Sequence, residues 1–517
     1  MQKIRGKILW ADDEIDMLRP HILFLEEKGY AVTPVSNAED AISLVKQNRY
    51  DLLLLDEMMP GMDGLRALVE IKEICPSLPV VMITKSEEEN LMDEAIGAKI
   101  EDYLTKPVNP SQILSSCKRI LEREKISRER LTRTYTAEFG EIETLLAGPF
   151  SPQTWIEIHL RLCERELELD QHPDLGLRQT LMDQRRECNV AFARYIEENY
   201  AEWVASSNRP VLSPDVVRRF VLPLLSEEKS VLFIVVDNLR LDQWLCIEPL
   251  LYDYFSIERQ YYYSILPTAT PFSRNSLFAG YFPSEIAQRF PNFWIEGEDE
   301  ETSKNRLEPI LFAQQVEKFF PQRKQEPKYV KIMDPEEGKN VVKNASSYFQ
   351  SALTAMVFNF VDILAHRRSG SEILKEMIPD EPAYRSLTRT WFEHSALFQI
   401  LRQAREAGVQ VVLTSDHGSI RTLRGATVIG DKETSPNVRY KYGRNIRAEA
   451  KQAIVVQNPK RFGLPSRGIM NYLIAKEDYY FLYPTQYHKY LALYRDSLQH
   501  GGVSLEEMVL PVVIMRG

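Results

Sequence analysis

The sequence has little of what would tie it to several common protein classes. It has five cysteines in 517 residues, with no CxxC pair and no regular spacing, which argues against a disulfide framework or a cysteine-rich zinc module. No uncharged apolar stretch reaches the roughly 18 residues of a membrane span, and the first residues carry no apolar signal region. We therefore expect reduced thiols and a cytoplasmic protein that does not enter a membrane.

An excess of positive charge is also lacking. The chain has 64 Lys and Arg residues against 74 Asp and Glu residues, a formal net charge of -10. This balance argues against a protein that coats nucleic acid, so any site for a polyanion must be local. The length and the 44% hydrophobic content exceed the needs of one core and predict two or three domains.

Residues 7 to 120 alternate short apolar runs with helical patterns, and five such βα units follow one another. The runs at 52–55 and 79–83 are apolar without alternation, as is typical of parallel strands covered on both faces. The pattern predicts a doubly wound, five-stranded α/β domain over residues 1–120.

Polar residues stand where these predicted strands end. Asp12 and Asp13 follow the first strand, Asp56 ends the third, Thr84 ends the fourth and Lys106 follows the fifth. Ligand sites of such sheets form beyond the carboxyl ends of the strands, so we expect one shared crevice. Clustered carboxylates need a divalent cation, and oxygen ligands favour Mg²⁺. Asp56 is then the phosphoryl acceptor, and Lys106 and Thr84 hold phosphate oxygens.

The stretches ADDE, DEMMPGMDG, MIT and YLTKP resemble the receiver domains of two-component response regulators. The resemblance implies that Asp56 is phosphorylated by a sensor histidine kinase. It implies a magnesium site formed by Asp12, Asp13, Asp56 and the Met58 carbonyl, and a conformational switch formed by Thr84, Tyr103 and Lys106. Lys85 departs from the small residue usual after the threonine.

Residues 121–225 form a helical, charged stretch between two α/β patterns. One interpretation is a plain helical spacer with solvated faces. The other is a dimer-forming element that transmits a signal, with its first helix continuing straight out of the receiver domain.

A second α/β pattern covers residues 226–517 and contains a second set of acidic, imidazole and hydroxyl groups. Its members fall at strand ends or helix starts: Asp237, Thr270, Asp362, His366, Asp416, His417 and His500. Three carboxylates, three imidazoles and one hydroxyl suffice for two mixed nitrogen and oxygen sites of the kind that zinc favours. Two such metals clamp both sides of a phosphate displacement.

This ordered set, with TATP, DILAH, SDHG and QHGG around its members, resembles the PglZ branch of the alkaline phosphatase superfamily. The resemblance implies two zinc ions, the first bound by Asp237, Thr270, Asp416 and His417 and the second by Asp362, His366 and His500. It implies Thr270 as nucleophile, chosen over Thr268 by its relation to the following proline and Gly280, and Asn292 as a ligand of a phosphate oxygen.

The order of receiver, helical spacer and PglZ domain resembles the PorX family of response regulators, which is associated with type IX secretion. That resemblance implies an extracytoplasmic-function sigma factor as a partner. It also implies a homodimer that phosphorylation favours. The output domain has no helix-turn-helix pattern, so no direct binding to duplex DNA is expected.

A basic and aromatic segment predicts the substrate. Residues 421–461 hold ten Lys and Arg against three Asp and Glu. Within the segment, aromatic and basic residues alternate: Arg439, Tyr440, Lys441, Tyr442 and Arg444. Such alternation suits a stacked base with its phosphate and predicts nucleotide or short oligonucleotide diesters. The alternative is a solvated loop or a contact with the spacer.

Residues 281–345 interrupt the α/β pattern between Thr270 and Asp362. We interpret them as an insertion, either a cap over the metal site or a peripheral subdomain.

Two functions from different classes remain open. The first is a zinc phosphodiesterase tuned by phosphorylation of the receiver; a threonine nucleophile favours diesters within the superfamily that the sequence resembles. The second is a signalling adaptor whose metal-bound domain chiefly binds a partner.

Overall fold

The computed structural model describes residues 4–85, 100–121, 139–172, 176–227, 230–291, 305–319, 321, 326–430, 437–466, 470–485 and 487–517. The chain divides into two compact units, Met1–Ala137 and Glu138–Gly517. The described helices of the stretch predicted over 121–225 belong to the same compact unit as the output domain. The predicted helical continuation out of the receiver lies outside the described residues.

The first unit is the predicted five-stranded doubly wound domain. Its parallel strands stand in the order β2-β1-β3-β4-β5 and are β1 (Lys7–Ala11), β2 (Ala31–Val35), β3 (Leu52–Asp56), β4 (Val80–Thr84) and β5 (Asp102–Thr105). Its described helices are α1 (Arg19–Glu27), α2 (Ala38–Gln47), α3 (Gly64–Ile74) and α4 (Pro110–Leu121). The predicted fourth helix lies outside the described residues.

The central strand β3 explains why its sequence does not alternate. Leu53 and Leu55 are buried in the core on one face of the sheet, and Leu52 and Leu54 are buried in the core on the other. Side chains alternate between the faces of a strand, so a strand covered on both faces needs an apolar residue at every position.

The second unit contains two long helices near its start, α5 (Pro152–Gln171) and α6 (Arg178–Ala205). Helix α5 starts with Ser151, whose hydroxyl accepts a hydrogen bond from the Thr154 amide at 3.1 Å. Both helices join the rest of the unit through buried polar contacts. Arg385 lies 2.8 Å from Asp170, and the Asn189 side chain accepts from the Leu505 amide at 2.8 Å.

The core of the second unit is a six-stranded mixed sheet in the order β7-β18-β10-β6-β9-β8. Its strands are β6 (Val231–Val236), β7 (Ser256–Tyr263), β8 (Lys328–Ile332), β9 (Leu353–Phe358), β10 (Gln410–Thr414) and β18 (Val509–Arg516). Strands β8, β9, β6 and β10 are parallel, and β18 runs antiparallel to both β10 and β7. The α/β class predicted for the output domain is confirmed.

The segment predicted as an insertion, 281–345, is in part a piece of this core. Strand β8 pairs with β9 along the edge of the central sheet, and Phe312 stacks on Phe233 of β6 with ring centroids 6.3 Å apart. The interpretation as an insertion, whether a cap or a peripheral subdomain, is wrong for these residues. Strand β8, KYVKI, is an edge strand with half-buried lysines, so its sequence lacks the apolar run of a central strand.

Further helices of the second unit are α7 (Leu241–Ile247), α8 (Thr270–Ala279), α9 (Pro283–Arg289), α10 (Glu308–Phe319), α11 (Pro335–Lys343), α12 (Ala345–Phe349), α13 (Phe360–Arg368), α14 (Glu372–Met377), α15 (Glu381–His394), α16 (Ala396–Glu406), α17 (Tyr487–Tyr494) and α18 (Leu505–Met508). Short accessory strands complete the unit: β11 (Ile420–Thr422), β12 (Arg424–Thr427), β13 (Tyr440–Gly443), β14 (Ala453–Val456), β15 (Asn471–Ala475), β16 (Tyr479–Leu482) and β17 (Ser497–Gln499). Among the described residues, no helix combines the length and apolarity that crossing a bilayer requires.

Candidate metal and phosphate sites

The receiver unit brings three carboxylates together where its strands end. Asp12, Asp13 and Asp56 each offer an oxygen, and these oxygens lie within 4.8 Å of one another. The Lys106 ammonium lies 2.9 Å from Asp12 and 2.9 Å from Asp56. The convergence expected from the strand ends is present, with one cation facing two of the three acids.

Burial sets the charge state of this site. It raises the pKa of Asp56 to about 6, although the hydrogen bond from Lys106 opposes the rise and the nearby Asp12 carboxylate adds to it. Burial would lower the pKa of Lys106, but its hydrogen bonds to Asp12 and Asp56 raise it above the usual value. A divalent cation held by the three carboxylates would complete the neutralisation that one lysine leaves unfinished.

The start of helix α3 is pressed against the acceptor aspartate. A Cβ at Gly64 would lie 2.2 Å from the Asp56 carbonyl oxygen, and the Gly64 amide donates to Glu57 at 2.7 Å. Only glycine permits this approach of one backbone to another.

The remaining receiver residues take different positions. The Thr84 hydroxyl donates to the Glu57 carboxylate, a partner that sequence reasoning missed. Tyr103 packs, half-buried, against the receiver core, and the Met58 side chain is 66% exposed. The Lys85 ammonium faces Glu14 at 3.6 Å.

In the second unit the candidate ligands follow three neighbouring parallel strands and one accessory strand. Asp237 follows β6, Asp362 and His366 stand on helix α13 after β9, and Asp416 and His417 follow β10. His500 comes directly after β17. The carboxyl ends of parallel strands meet at one edge of the sheet, which is why Asp237 and His417, 180 positions apart, converge.

The first group is fully buried. Asp237, Asp416 and His417 offer ligand atoms within 4.8 Å of one another. The His417 Nε2 atom lies 3.6 Å from Asp237, 3.7 Å from Asp416 and 3.0 Å from the hydroxyl of Thr270. These are the four residues predicted to share one metal.

The second group is formed by Asp362, His366 and His500. The two imidazole Nε2 atoms lie 3.0 Å apart, and the Asp362 carboxylate lies 3.4 Å from one and 3.6 Å from the other. The His500 ring stacks on His417 with centroids 4.2 Å apart, so the two groups adjoin.

The chemistry of these groups fits metal ions. Asp237 Oδ1 and Asp416 Oδ2 are buried without a hydrogen-bond partner among the described residues, which is costly for a carboxylate. Burial raises the pKa of Asp237 well above its usual value and that of Asp416 to about 6. Bound cations would hold both as carboxylates.

The imidazole of His417 is prepared as a ligand. Burial lowers its pKa and favours the neutral ring. Its Nδ1 atom lies 3.2 Å from the Gly418 carbonyl oxygen, which accepts a hydrogen bond from the Nδ1–H of the neutral ring. The Nε2 lone pair then points at the carboxylates and Thr270, as expected of a metal-ligating histidine.

A second layer of side chains, which sequence reasoning missed, holds the carboxylates. The Arg274 guanidinium is buried and pairs with both Asp237 and Glu308. The Asn359 amide donates to Asp237 at 2.6 Å, and the Asn238 amide donates to Asp362 at 3.3 Å. Arg274 stands one helical turn after Thr270, a spacing that could have indicated a shared face.

The two threonines of the TATP stretch are distinguished by their partners. The Thr268 hydroxyl donates to the Gly502 carbonyl at 2.8 Å and accepts from the Gly501 amide at 3.1 Å, so it fixes the loop after His500. Thr270, at the start of helix α8, faces His417 instead. Of these two hydroxyls, that of Thr270 is the one that adjoins the first ligand group.

The basic and aromatic residues predicted to bind substrate do not form one surface. Arg439 is fully buried and pairs with Glu507, and the buried Tyr440 packs edge-on against Phe272. Lys441 lies over the ring of Tyr483. The physical reason is that this stretch enters strand β13, where successive side chains point to opposite faces.

The last two predicted residues of that stretch lie beyond these contacts. Tyr442 packs on Tyr472, with ring centroids 5.3 Å apart, and Arg444 is exposed. Asn292, predicted to bind a phosphate oxygen, lies outside the described residues.

Comparison with known families accounts for most of the chain. Residues 8–118 match the response regulator receiver domain, residues 125–204 match the PorX response regulator linker domain, and residues 216–515 match the BREX system PglZ alkaline phosphatase-like domain. The protein is thus a response regulator with an alkaline phosphatase-like output domain. Because the last match spans more than half of the 517 residues, the chain belongs to the PglZ family.

Individual relatives match through the receiver. The transcriptional regulatory protein ResD of Bacillus subtilis is 36% identical over 117 residues, 23% of this chain and 48% of that protein. BaeR of Escherichia coli is 37% identical over 125 residues, 24% of this chain and 51% of that protein. The chain thus spans about half the length of these curated relatives. A solved CheY-like receiver domain from Methanospirillum hungatei is 25% identical, covers 24% of this chain and 99% of its own, and has a TM-score of 0.23.

Proposed function

We propose that this protein is a response regulator phosphorylated on Asp56 whose output is a dinuclear zinc phosphodiesterase acting on nucleotide or short oligonucleotide diesters. The observation that carries the proposal is the pair of adjoining ligand groups with the Thr270 hydroxyl 3.0 Å from His417 Nε2. A hydroxyl at the start of a helix, beside buried carboxylates and imidazoles, is placed to become a nucleophile.

Zinc, when bound by the two groups, supplies positive charge that lowers the pKa of a nearby hydroxyl and stabilises the leaving oxygen. The protein's own residues do the rest. Thr270 presents its hydroxyl from the first turn of helix α8, whose dipole favours anions at that end. Arg274 and Asn359 hold Asp237 in place, and the neutral ring of His417 accepts rather than donates at Nε2.

The catalytic proposal is tested by hydrolysis of bis-p-nitrophenyl phosphate and short oligonucleotides by metal-quantified protein. We expect Thr270→Ala to lose on the order of 10³-fold or more of the activity, because the attacking oxygen is removed. Thr268→Ala is the matched control two residues away, and its loss should be far smaller. Equal activities of the wild type and Thr270→Ala would reject Thr270 as the nucleophile.

The regulatory half of the proposal concerns the receiver. A sensor histidine kinase is the expected phosphoryl donor, and Asp56→Asn should abolish labelling by acetyl phosphate. We also propose that phosphorylation favours a homodimer and that the protein acts in control of type IX secretion. The support is the order of receiver, PorX linker and PglZ domains along the chain, which resembles that of the PorX family. Unchanged oligomeric mass after beryllofluoride treatment would contradict the dimer.

The second candidate function is an adaptor whose metal-bound output domain binds a partner such as an extracytoplasmic-function sigma factor. The PorX linker match favours this signalling role without requiring catalysis. Metal-loaded protein that hydrolyses none of the esters, yet binds the sigma factor in a manner that depends on Asp56, would favour the adaptor.

A further inference from the structure

A basic cleft lies in the second unit, away from the metal groups. Its volume is about 610 Å³. Gly280, which ends helix α8, lines it, whereas Thr270 begins that helix. The ten residues of the helix span about 15 Å, so a molecule in the cleft would not occupy the site at Thr270.

The cleft carries an excess of positive charge. Five cationic side chains line it, namely Arg209, Arg218, Arg219, Lys318 and Lys460. The two carboxylates in its wall already have partners. Asp215 is bound by Arg209 at 3.1 Å and by Arg218 at 3.2 Å, and Glu285 accepts from the Phe282 amide at 2.9 Å.

Two of the five cations are available to a ligand. Arg219 and Lys460 are exposed, and neither forms an ion pair with a carboxylate in the part of the chain that the structure describes. The chain as a whole has a net charge of -10, so this local excess is not a general property of its surface. A concave wall of one charge sign focuses the field and attracts counter-ions.

Aromatic rings accompany the cations. The Arg289 guanidinium and the Lys318 ammonium lie over the Tyr281 ring, 4.4 and 4.6 Å from its centre. Phe319 is 37% exposed at the same end of the cleft. An accessible ring next to cations stacks a nucleobase while the cations bind its phosphates.

The backbone that presents two of the cations is unusual. Arg218 and Arg219 stand on a π-helical turn, Val217–Val221. Turns of this kind are rare and occur often at functional sites. This observation is independent of the charge and the aromatic rings.

We infer that this cleft binds a nucleoside polyphosphate, with the phosphates on Arg219 and Lys460 and the base against Tyr281 and Phe319. The charge excess favours an anion of several charges, and the exposed ring of Phe319 beside the half-buried Tyr281 favours a planar group. The inference does not depend on the catalytic proposal, because the cleft shares no residue with the two metal groups.

The test is isothermal titration of ATP into the full-length, metal-loaded chain. We expect the double variant Arg219→Glu and Lys460→Glu to bind about 30-fold or more weakly, since two attractions become two repulsions. Lys451→Glu, an exposed lysine outside the cleft, is the matched control and should bind as the wild type does. ATP that binds at the metal groups would not be affected by the double variant or by Lys451→Glu. The number of binding sites is therefore fitted together with Kd.

Two further probes define the ligand class. Inorganic tripolyphosphate should bind more weakly than ATP, and adenosine should not bind measurably. Tyr281→Leu should weaken ATP but leave tripolyphosphate unchanged, which keeps the inference testable if the charge-reversed variant does not fold. If the double charge reversal leaves ATP binding unchanged, the cleft is not the binding site. If tripolyphosphate binds as tightly as ATP, the ligand is not a nucleotide.

Discussion

The receiver and the output domain both gather acids at the carboxyl ends of parallel strands, yet the two sites differ in what compensates the charge. In the receiver, one lysine faces Asp12 and Asp56, and no histidine belongs to the described cluster. In the output domain, three imidazoles join three buried carboxylates. The same sheet geometry thus supports an oxygen-only set of donors, the kind that Mg²⁺ prefers, and a mixed nitrogen and oxygen set, the kind that zinc prefers.

Removal of the metal ions should produce the largest difference in stability between the two units. Chelation of the metal-loaded chain is expected to lower the stability of the output unit by about 4 kcal/mol or more, because the buried carboxylates lose their neutralising cations. The receiver should change far less. Calorimetric scans with EDTA, followed by zinc and then Mg²⁺ addition, measure this, and an output transition indifferent to EDTA would contradict the proposed metal groups.

The next effect concerns the cation built into each site. Arg274→Gln leaves Asp237 and Glu308 buried without their counter-charge, so we expect a loss of about 3–5 kcal/mol in metal-free protein. The loss should shrink when zinc neutralises Asp237. Lys106→Gln is the matched receiver change and should cost less in the presence of Mg²⁺. Urea unfolding of both variants measures the two losses of stability. A smaller loss for Arg274→Gln than for Lys106→Gln would contradict the expected order.

A smaller effect depends on pH. The pKa of Asp56 is raised in the folded receiver to about 6, so its contribution to stability is fully present below its unfolded pKa and is lost as the pH rises through about 6. Asp56→Asn should therefore stabilise the Mg²⁺-free receiver at pH 7 by about 1–2 kcal/mol, after allowance for solvent screening, and by almost nothing at pH 4. Melting curves at both pH values check this. A gain that is equal at pH 4 and pH 7 would exclude titration of Asp56 as its cause.

The smallest effect is expected at the surface of the receiver site. The pair between Lys85 and Glu14 is 3.6 Å long and exposed, so Lys85→Ala should change the free energy of unfolding by less than about 0.5 kcal/mol. If Lys85 instead controls access to the acyl phosphate, the lifetime of phosphorylated protein will change while its stability does not. Parallel measurements of melting temperature and dephosphorylation separate the two roles.

The sequence alone indicated the receiver strands, the strands of the output domain that precede Asp237 and Asp416, and the acids that cluster in each site. Apolar runs without alternation predicted the parallel strands, and acids at their ends predicted both clusters, because strand direction fixes which end side chains share. The spacing of Asp362 and His366 placed both on one helical face. These rules depend on short stretches of sequence, so they can be applied without knowledge of how distant segments pack.

The tertiary structure decided what depends on packing between distant segments. It placed strand β8 in the central sheet, buried Arg439 against Glu507, and paired Arg274 with Asp237. A buried arginine and a solvated one look alike in a sequence, because the difference lies in the carboxylate that packing brings beside it. The basic cleft, whose lining runs from residue 204 to residue 463, exists for the same reason: its charge is a property of the assembled surface.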